Sequence, residues 1–270
     1  MTVERFFELF LQELANNRDL WRYYKFLESP ARLHFRQAYF CQRLRYIQQH
    51  LPPGGDATRI FDCGCGYATT ALFLAMNGVP VRGNTLEFYY EQIPRRLAYW
   101  RQFGDVSLLD ISYENLFDME IEPDSFDAII IQDTLHHLEP INEALGLLHK
   151  ALRPGGALIA IEENGHNIIQ NAKLFLQRGN RRVITIHDEK LQKDILLGNE
   201  NIRSVAAWRA LFAQAGFRFD AESVEYIRYL LPWQTHRFAN IEELIAREQA
   251  LQSRWRQEYF FFGINFTATK

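Results

Sequence analysis

The chain opens on a helical rhythm. Val3, Phe6/Phe7, Phe10 and Leu14 recur at intervals of three and four behind Thr2, which predicts an amphipathic helix with Thr2 as its N-cap. Helical patterning fills the first fifty residues and stops at Pro52-Pro53-Gly54-Gly55, a turn signal. From Arg59 the period changes. Short apolar runs at 59–63, 80–86, 105–109, 127–131 and 157–161 predict strands, and the stretches 69–77, 88–103 and 141–152 between them predict helices. The last of these puts Ile141, Ala144, Leu145, Leu148 and Leu152 on one face, with Pro140 near its start and Pro154-Gly155-Gly156 past its end. Strands alternating with helices imply a parallel sheet covered on both faces.

The rhythm breaks over residues 165–203, which are polar, carry Arg178, Arg181 and Arg182, and contain Gly165, Gly179 and Gly198. They read as an insertion above the sheet. Ser204 then caps a predicted helix with Trp208, Leu211, Phe212 and Ala215 on one face, closed by Gly216. Runs at 217–226 and 259–267 predict a closing hairpin of the sheet, with 232–256 as an excursion between them. Four units follow: an N-terminal helical cap (1–54), an α/β core that holds the cofactor (55–164), a substrate lid (165–203) and the C-terminal part of the core (204–270).

A chain of 270 residues with 47% hydrophobic and 23% charged residues has an ordinary globular composition. Its 14% aromatic content, with 21 Phe and 12 Tyr, is rich enough to line an apolar pocket as well as a core. A net charge of −3 speaks against a nucleic-acid partner. The local exception is Arg18, Arg22, Lys25, Arg32, Arg36, Arg43 and Arg45 against Asp19 and Glu28, seven cations less two anions, or +5. It is either a solvated helical face or a surface that attracts an anionic substrate or membrane. Cys41, Cys63 and Cys65 make neither a disulfide framework nor a usual zinc site, so a reducing, cytoplasmic setting is expected. Glu4, Glu8 and Glu13 among the apolar residues of the N-terminus exclude a signal peptide or membrane span there.

The most informative stretch is Ile60-Phe61-Asp62-Cys63-Gly64-Cys65-Gly66-Tyr67-Ala68: a strand ending in an acid, a glycine turn, then a helix. In a doubly wound sheet this turn lies at the switch point where ligands bind. A dinucleotide site wants G-x-G-x-x-G, and here Thr69 stands at the third glycine. S-adenosylmethionine has no phosphate, and Asp62 suits its cationic amino acid end. Asp110, read as the end of the third strand, can accept from an adenine amino group while Ile111 packs on the ring. Residues 126–138, FDAIIIQDTLHHL, are a buried strand running into a His-bearing loop, and Leu152-Arg-Pro-Gly-Gly156 leads to the next strand.

In this order the segments resemble the class I S-adenosylmethionine-dependent methyltransferases, small-molecule branch, over about residues 55–165. The resemblance implies a doubly wound, Rossmann-like, mostly parallel seven-stranded sheet with helices on both faces. It implies S-adenosylmethionine as cofactor and S-adenosylhomocysteine as product. Asp62, Gly64, Cys65 and Gly66 match the family's glycine motif, with Ala68 where a third glycine is common. Asp110 and Ile111 match its adenine-contacting pair, and Gln132 falls where the family lines the sulfonium and adenine pocket. The family's ribose-binding acid at the end of the second strand has no direct counterpart in Arg82-Gly-Asn-Thr-Leu-Glu87. Either Glu87 or Thr85 takes that role.

Methyl transfer is an in-line displacement for which the cofactor carries the reactivity, and a hydroxyl acceptor adds a need for a general base. Candidate bases are His136 and His137 after the fourth strand and Glu162, Glu163, His166 and His187 after the fifth. Structural roles compete for each, and nothing in the spacing of His136, His137, Glu163 and His166 demands a metal, so none is expected. Trp21, Tyr23, Tyr24, Phe26 and Phe35, near arginines, would suit a small apolar or aromatic acceptor bearing a carboxylate or phosphate. Two other readings compete: a non-catalytic cofactor-binding or interaction protein that kept the fold, and a nicotinamide dehydrogenase, against which the missing third glycine counts. Acceptor, methylated atom and oligomeric state are not encoded in legible motifs.

Overall fold

The computed structural model describes residues 1–25, 29–52, 58–86, 90–235, 237–238, 240–251 and 253–270. Three helices lead: α1 (Val3–Asn16), α2 (Arg18–Tyr24) and α3 (Pro30–His50). Thr2 caps α1 by accepting from the Arg5 amide at 3.2 Å, and Asn17 caps α2 from the Leu20 amide at 3.3 Å. Then come β1 (Ile60–Cys63), α4 (Thr69–Ala75), β2 (Val81–Thr85), α5 (Ile93–Trp100), β3 (Leu109–Tyr113), β4 (Phe126–Gln132), α6 (Ile141–Ala151) and β5 (Leu152–Glu163). After β5 the chain forms α7 (Ile168–Arg178) and a hairpin of β6 (Val183–Asp188) and β7 (Lys193–Gly198). It returns through α8 (Val205–Gln214), β8 (Arg218–Ile227), α9 (Pro232–Thr235), α10 (Ile241–Gln249), α11 (Arg254–Phe260) and β9 (Gly263–Thr269).

The 7-stranded sheet has the order β3-β2-β1-β4-β5-β9-β8. Strands β1 to β5 are mutually parallel, and β9 runs antiparallel to both neighbours. Because successive side chains point to opposite faces, each central strand feeds two cores. Ile60, Ile130 and Ile159 join α1, α3, α4 and α5 on one side, while Phe61, Ile129, Ile131 and Leu158 join α6 and α8 on the other. Strand order reverses between β1 and β4, which opens a crevice at their carboxyl ends. No helix among the described residues is long and apolar enough to cross a membrane.

Most predicted elements lie within a residue or two of the observed ones. The third strand does not. Asp105 accepts from the Ser107 amide at 2.9 Å and turns 106–108 into a single 3-10 turn, so β3 begins at Leu109 and not at Asp105. The fifth strand starts at Leu152, taking in the Arg-Pro-Gly-Gly run, and β9 starts at Gly263 because α11 claims Tyr259 and Phe260. The excursion 232–256 packs on α3, where Leu244 joins Ala38 and Tyr39. Phe26, the Pro53-to-Gly55 part of the turn, and Glu87 with the predicted helix start at 88 lie outside the described residues.

Candidate functional site

The glycine turn after β1 is shaped by its backbone. Gly64 and Gly66 have φ of +70° and +53°, the left-handed region that favours glycine. A Cβ at Gly64 would stand 2.4 Å from Thr134 Cγ2, so the turn also needs glycine for its close approach to the β4 loop. Ala68, in place of a third glycine, is itself left-handed at φ 58°. Asn84, next to β2's end, ties the turn to β3: its Oδ1 accepts from the Gly64 amide at 3.1 Å and its Nδ2 donates to the Glu114 carbonyl at 3.0 Å.

Asp62 lies beneath this turn, 2% exposed, and its Oδ2 has no hydrogen-bond partner. Burial raises its pKa to about 7, against a small opposing effect from the Ala71 amide. A buried carboxylate oxygen without a donor is costly unless a cation or donor arrives. The residue therefore fits the ammonium end of S-adenosylmethionine on its own geometry.

Around the turn opens a cavity of about 750 Å³. It brings together the predicted Asp62, Gly64, Cys65, Gly66, Thr85, Gln132, His136, His137 and Glu163. Gln132 is held by the Thr70 hydroxyl, which donates to its Oε1. Asp110 and Ile111 are not in the lining. Asp110 is the second residue of β3, level with Arg82, and exposed; Ile111 is half-buried in the sheet, against Gly83. Once β3 starts at Leu109, its end carries Glu114, Asn115, Leu116 and Phe117 to the cavity. His166 is exposed and stacks on Tyr259 at 5.7 Å, and His187 is exposed and paired with Asp194 at 2.9 Å; neither reaches the cavity.

The other wall is polar and tightly braced. Glu162, fully buried, accepts from the amides of Thr134 (3.0 Å) and Leu135 (2.7 Å) and binds His136 Nδ1. Burial alone would lower the His136 pKa, but Glu162, with Asp133 and Glu200, raises it to about 9. His136 thus holds a proton near neutral pH and does not stand as a ready general base. His137 donates from Nδ1 to the Gly198 carbonyl at 2.8 Å, as set by its acceptor partner. Arg43 grips Asp133 at 2.7 and 3.0 Å, and Arg228 pairs with Glu163 at 2.6 Å. Burial opposes ionisation of Asp133, yet Arg43, Arg228 and His136 hold its carboxyl below the usual range. Sequence patterning missed Asn84, Glu114, Asp133, Glu200 and Arg228 and held Arg43 only as one cation of a basic cluster; these residues converge from separate elements and share no local motif.

Much of the remaining lining is apolar. Tyr23, Tyr24, Phe35, Tyr39 and Phe40 come from α2 and α3, and Ile186, Ile195, Leu196 and Leu197 come from the β6–β7 hairpin. The hairpin is bridged to the β4 loop at Leu138↔Leu197, and the Asn201 amide donates to the His136 carbonyl at 3.2 Å.

Residues 61–160 match a family model described as a methyltransferase domain. A highly reducing polyketide synthase of Aspergillus luteorubrus is 26% identical over 109 residues, 37% of this chain and 3% of that protein. Sterol methyltransferase-like 2 of Botryococcus braunii is 26% identical over 142 residues, 52% of this chain and 35% of that protein. The chain therefore spans about a third or less of the length of these curated relatives. Among solved structures, geranyl diphosphate methyltransferase in complex with its cofactor SAM superposes with a TM-score of 0.60 at 17% identity, covering 88% of this chain and 87% of that one. At that identity the likeness concerns the fold.

Proposed function

We propose that this chain, whose residues 61–160 carry a methyltransferase domain on the class I fold, binds S-adenosylmethionine at the crevice of β1 and β4 and methylates a small acceptor. The observation that carries the reading is the buried, unpartnered Oδ2 of Asp62 beside two left-handed glycines in the lining of a cavity of about 750 Å³. A nicotinamide dinucleotide is anionic and would meet that carboxylate with repulsion; a cationic amino acid end meets it with attraction. When bound, S-adenosylmethionine supplies a methyl carbon activated by sulfonium, so the chain's task is to position, enclose and exclude water. Asp62 would hold the amino group, and Thr85 and Glu114 lie at the ends of β2 and β3, where ribose and adenine contacts are expected.

The acceptor half supports an apolar body with one anionic group. Tyr39 and Phe40 face it from α3 and Leu196 from the hairpin. Arg43 and Arg228, although paired, each keep a buried Nε without a hydrogen-bond partner, two N–H groups suited to a carboxylate or phosphate. The geranyl diphosphate of the superposed methyltransferase is an acceptor of that kind, which makes prenyl and other lipid-like phosphates and carboxylates the first class to screen.

The test is isothermal titration of the protein with S-adenosylmethionine and S-adenosylhomocysteine. Micromolar binding that Asp62→Ala abolishes supports the reading. Absence of binding to either compound by the wild type overturns it.

A further inference from the structure

Two histidines and a glutamate converge in the acceptor half of the cavity. His136, His137 and Glu200 each offer one ligand atom, and these atoms lie within 4.8 Å of one another. His136 and His137 sit on the turn after β4, and Glu200 follows β7. The two rings are adjacent, with centroids 4.2 Å apart.

Their second contacts matter more than their proximity. His136 Nδ1 is engaged by the Glu162 carboxylate and His137 Nδ1 by the Gly198 carbonyl. Each acceptor keeps a proton on Nδ1 and leaves Nε2 as the ligating nitrogen, from which His136 gives up the proton it holds near neutral pH when an ion binds; this arrangement orients imidazole ligands of a metal. His136 Nε2 faces Glu200 Oε2 at 3.7 Å. That is too long for a hydrogen bond, and near the roughly 3.4 Å that two donors keep on a tetrahedral ion with bonds of about 2.1 Å.

Acidic groups gather around them. Asp133, Glu162, Glu163 and Glu200 surround the turn; Arg43 pairs with Asp133, Arg228 with Glu163, and Arg178 acts on Glu200 from α7.

The backbone also holds the ligands in place. The loop carrying Glu200 presses so closely on the histidine turn that a Cβ at Gly198 would stand 2.0 Å from the His136 carbonyl oxygen. Glu139 binds both the Asn201 amide side chain at 2.6 Å and Arg203 at 2.7 Å, which latches the loop. Glu200 itself is left-handed at φ 52°, a strained conformation of the sort found where a side chain is aimed.

From this geometry we infer that His136, His137 and Glu200 form a site for one divalent transition ion of the zinc type, with an open coordination position on the cavity. Two imidazoles and one carboxylate favour zinc, cobalt or iron over magnesium or calcium. The open position would take an oxyanion of the acceptor. That use rests on the methyl-transfer reading above; the ion site does not.

The experiment uses tag-free protein freed of metal by chelation and titrated with Co²⁺, followed by visible absorption and by competition with Zn²⁺. The expected result is one Co²⁺ per chain with visible bands that Zn²⁺ removes. Glu200→Gln and His137→Ala should each weaken Co²⁺ binding at least about tenfold. Glu200 is half-exposed on a turn, so Glu200→Gln should keep the wild-type melting temperature, and His187→Ala, an exposed histidine elsewhere, should bind as wild type does. Absence of saturable Co²⁺ and Zn²⁺ binding overturns the site, as does binding that survives both substitutions. S-adenosylhomocysteine titrated against the metal-free protein separates the two ideas. If it binds while Co²⁺ does not, the ion site alone fails; if Co²⁺ binds while it does not, the ion site stands and the cofactor reading fails.

Discussion

Burial raises the Asp62 carboxyl to about 7, so near neutral pH the unliganded protein divides it between its two forms. The folded chain binds that proton more tightly than the unfolded chain, where an aspartate titrates near about 3.9. Stability from the protonated form is therefore complete below about 4 and is lost as pH rises through 7. Asp62→Asn should remove this part of the pH dependence and raise the melting temperature of the unliganded protein at pH 8, by scanning calorimetry. The same proton opposes a cationic ligand. S-adenosylhomocysteine should bind the wild type more tightly as pH rises towards 7, by up to about tenfold per unit, and the Asn variant weakly at every pH. A wild-type affinity flat from pH 5.5 to 7.5 would count against Asp62 as the ammonium partner. Nearby, Gly64→Ala combines a φ of +70° with a Cβ 2.4 Å from Thr134 Cγ2. It should lower unfolding free energy by more than about 1 kcal/mol in urea titration and loosen the β4 loop with it.

At the scale of elements, the local signals were legible and the long-range ones were not. The glycine turn could be read because Asp62, Gly64 and Gly66 act within five residues, and α1 because its apolar spacing is its own. The third strand misled because Asp110 with Ile111 looks like a strand end, whereas Asp105 caps a turn that delays the strand by four residues and hands the end position to Glu114 and Asn115. Glu13 entered the sequence reading only as one of three acids that argue against a membrane span. It is 3% exposed, receives Arg96 Nε and Nη2 at 2.9 and 2.8 Å, and accepts from Trp100 Nε1 at 2.8 Å. Its partners lie 83 and 87 residues away, beyond any periodicity. Arg96 continues from this pair to the Tyr67 carbonyl and, at 2.6 Å, the Thr69 hydroxyl, so α1 and α5 jointly brace the floor of the glycine turn. Glu13→Ala leaves a buried guanidinium without its counter-charge. It should cost roughly 3–5 kcal/mol in urea unfolding, against a change within about 0.5 for the exposed Glu8→Ala.

For the molecule as a whole, the cavity has three walls supplied by distant parts of the chain: the sheet edge, the N-terminal helices and the insertion. This explains why the glycine turn could be read from sequence, while what the ends of β2 and β3, the N-terminal helices and the insertion bring to the cavity could not. The insertion is fastened unequally. Its base is latched to the β4 loop by His137 on the Gly198 carbonyl and by Glu139 on Asn201 and Arg203, largely buried contacts. Its tip rests on the far side of the sheet edge through exposed or half-buried ones. The Tyr113 hydroxyl donates to Asp188 at 2.8 Å, and Lys190 pairs with Glu91 at 3.1 Å and lies over the rings of Tyr90 and Tyr113 at 4.6 and 4.2 Å. Such surface ion pairs and cation–π contacts are each worth about 1 kcal/mol or less. Opening is therefore expected at the tip, with the base as the fixed end. Lys190→Ala should speed hydrogen exchange of amides 186–194 in the unliganded protein and hasten S-adenosylhomocysteine dissociation in stopped flow, while the melting temperature stays within a degree or two. Gly198→Ala should act oppositely in kind, lowering the melting temperature because its Cβ collides with the His136 carbonyl and the base has nowhere to move. If Lys190→Ala leaves both exchange and dissociation unchanged, the hairpin closes the cavity as a fixed wall and ligands enter past the N-terminal helices instead.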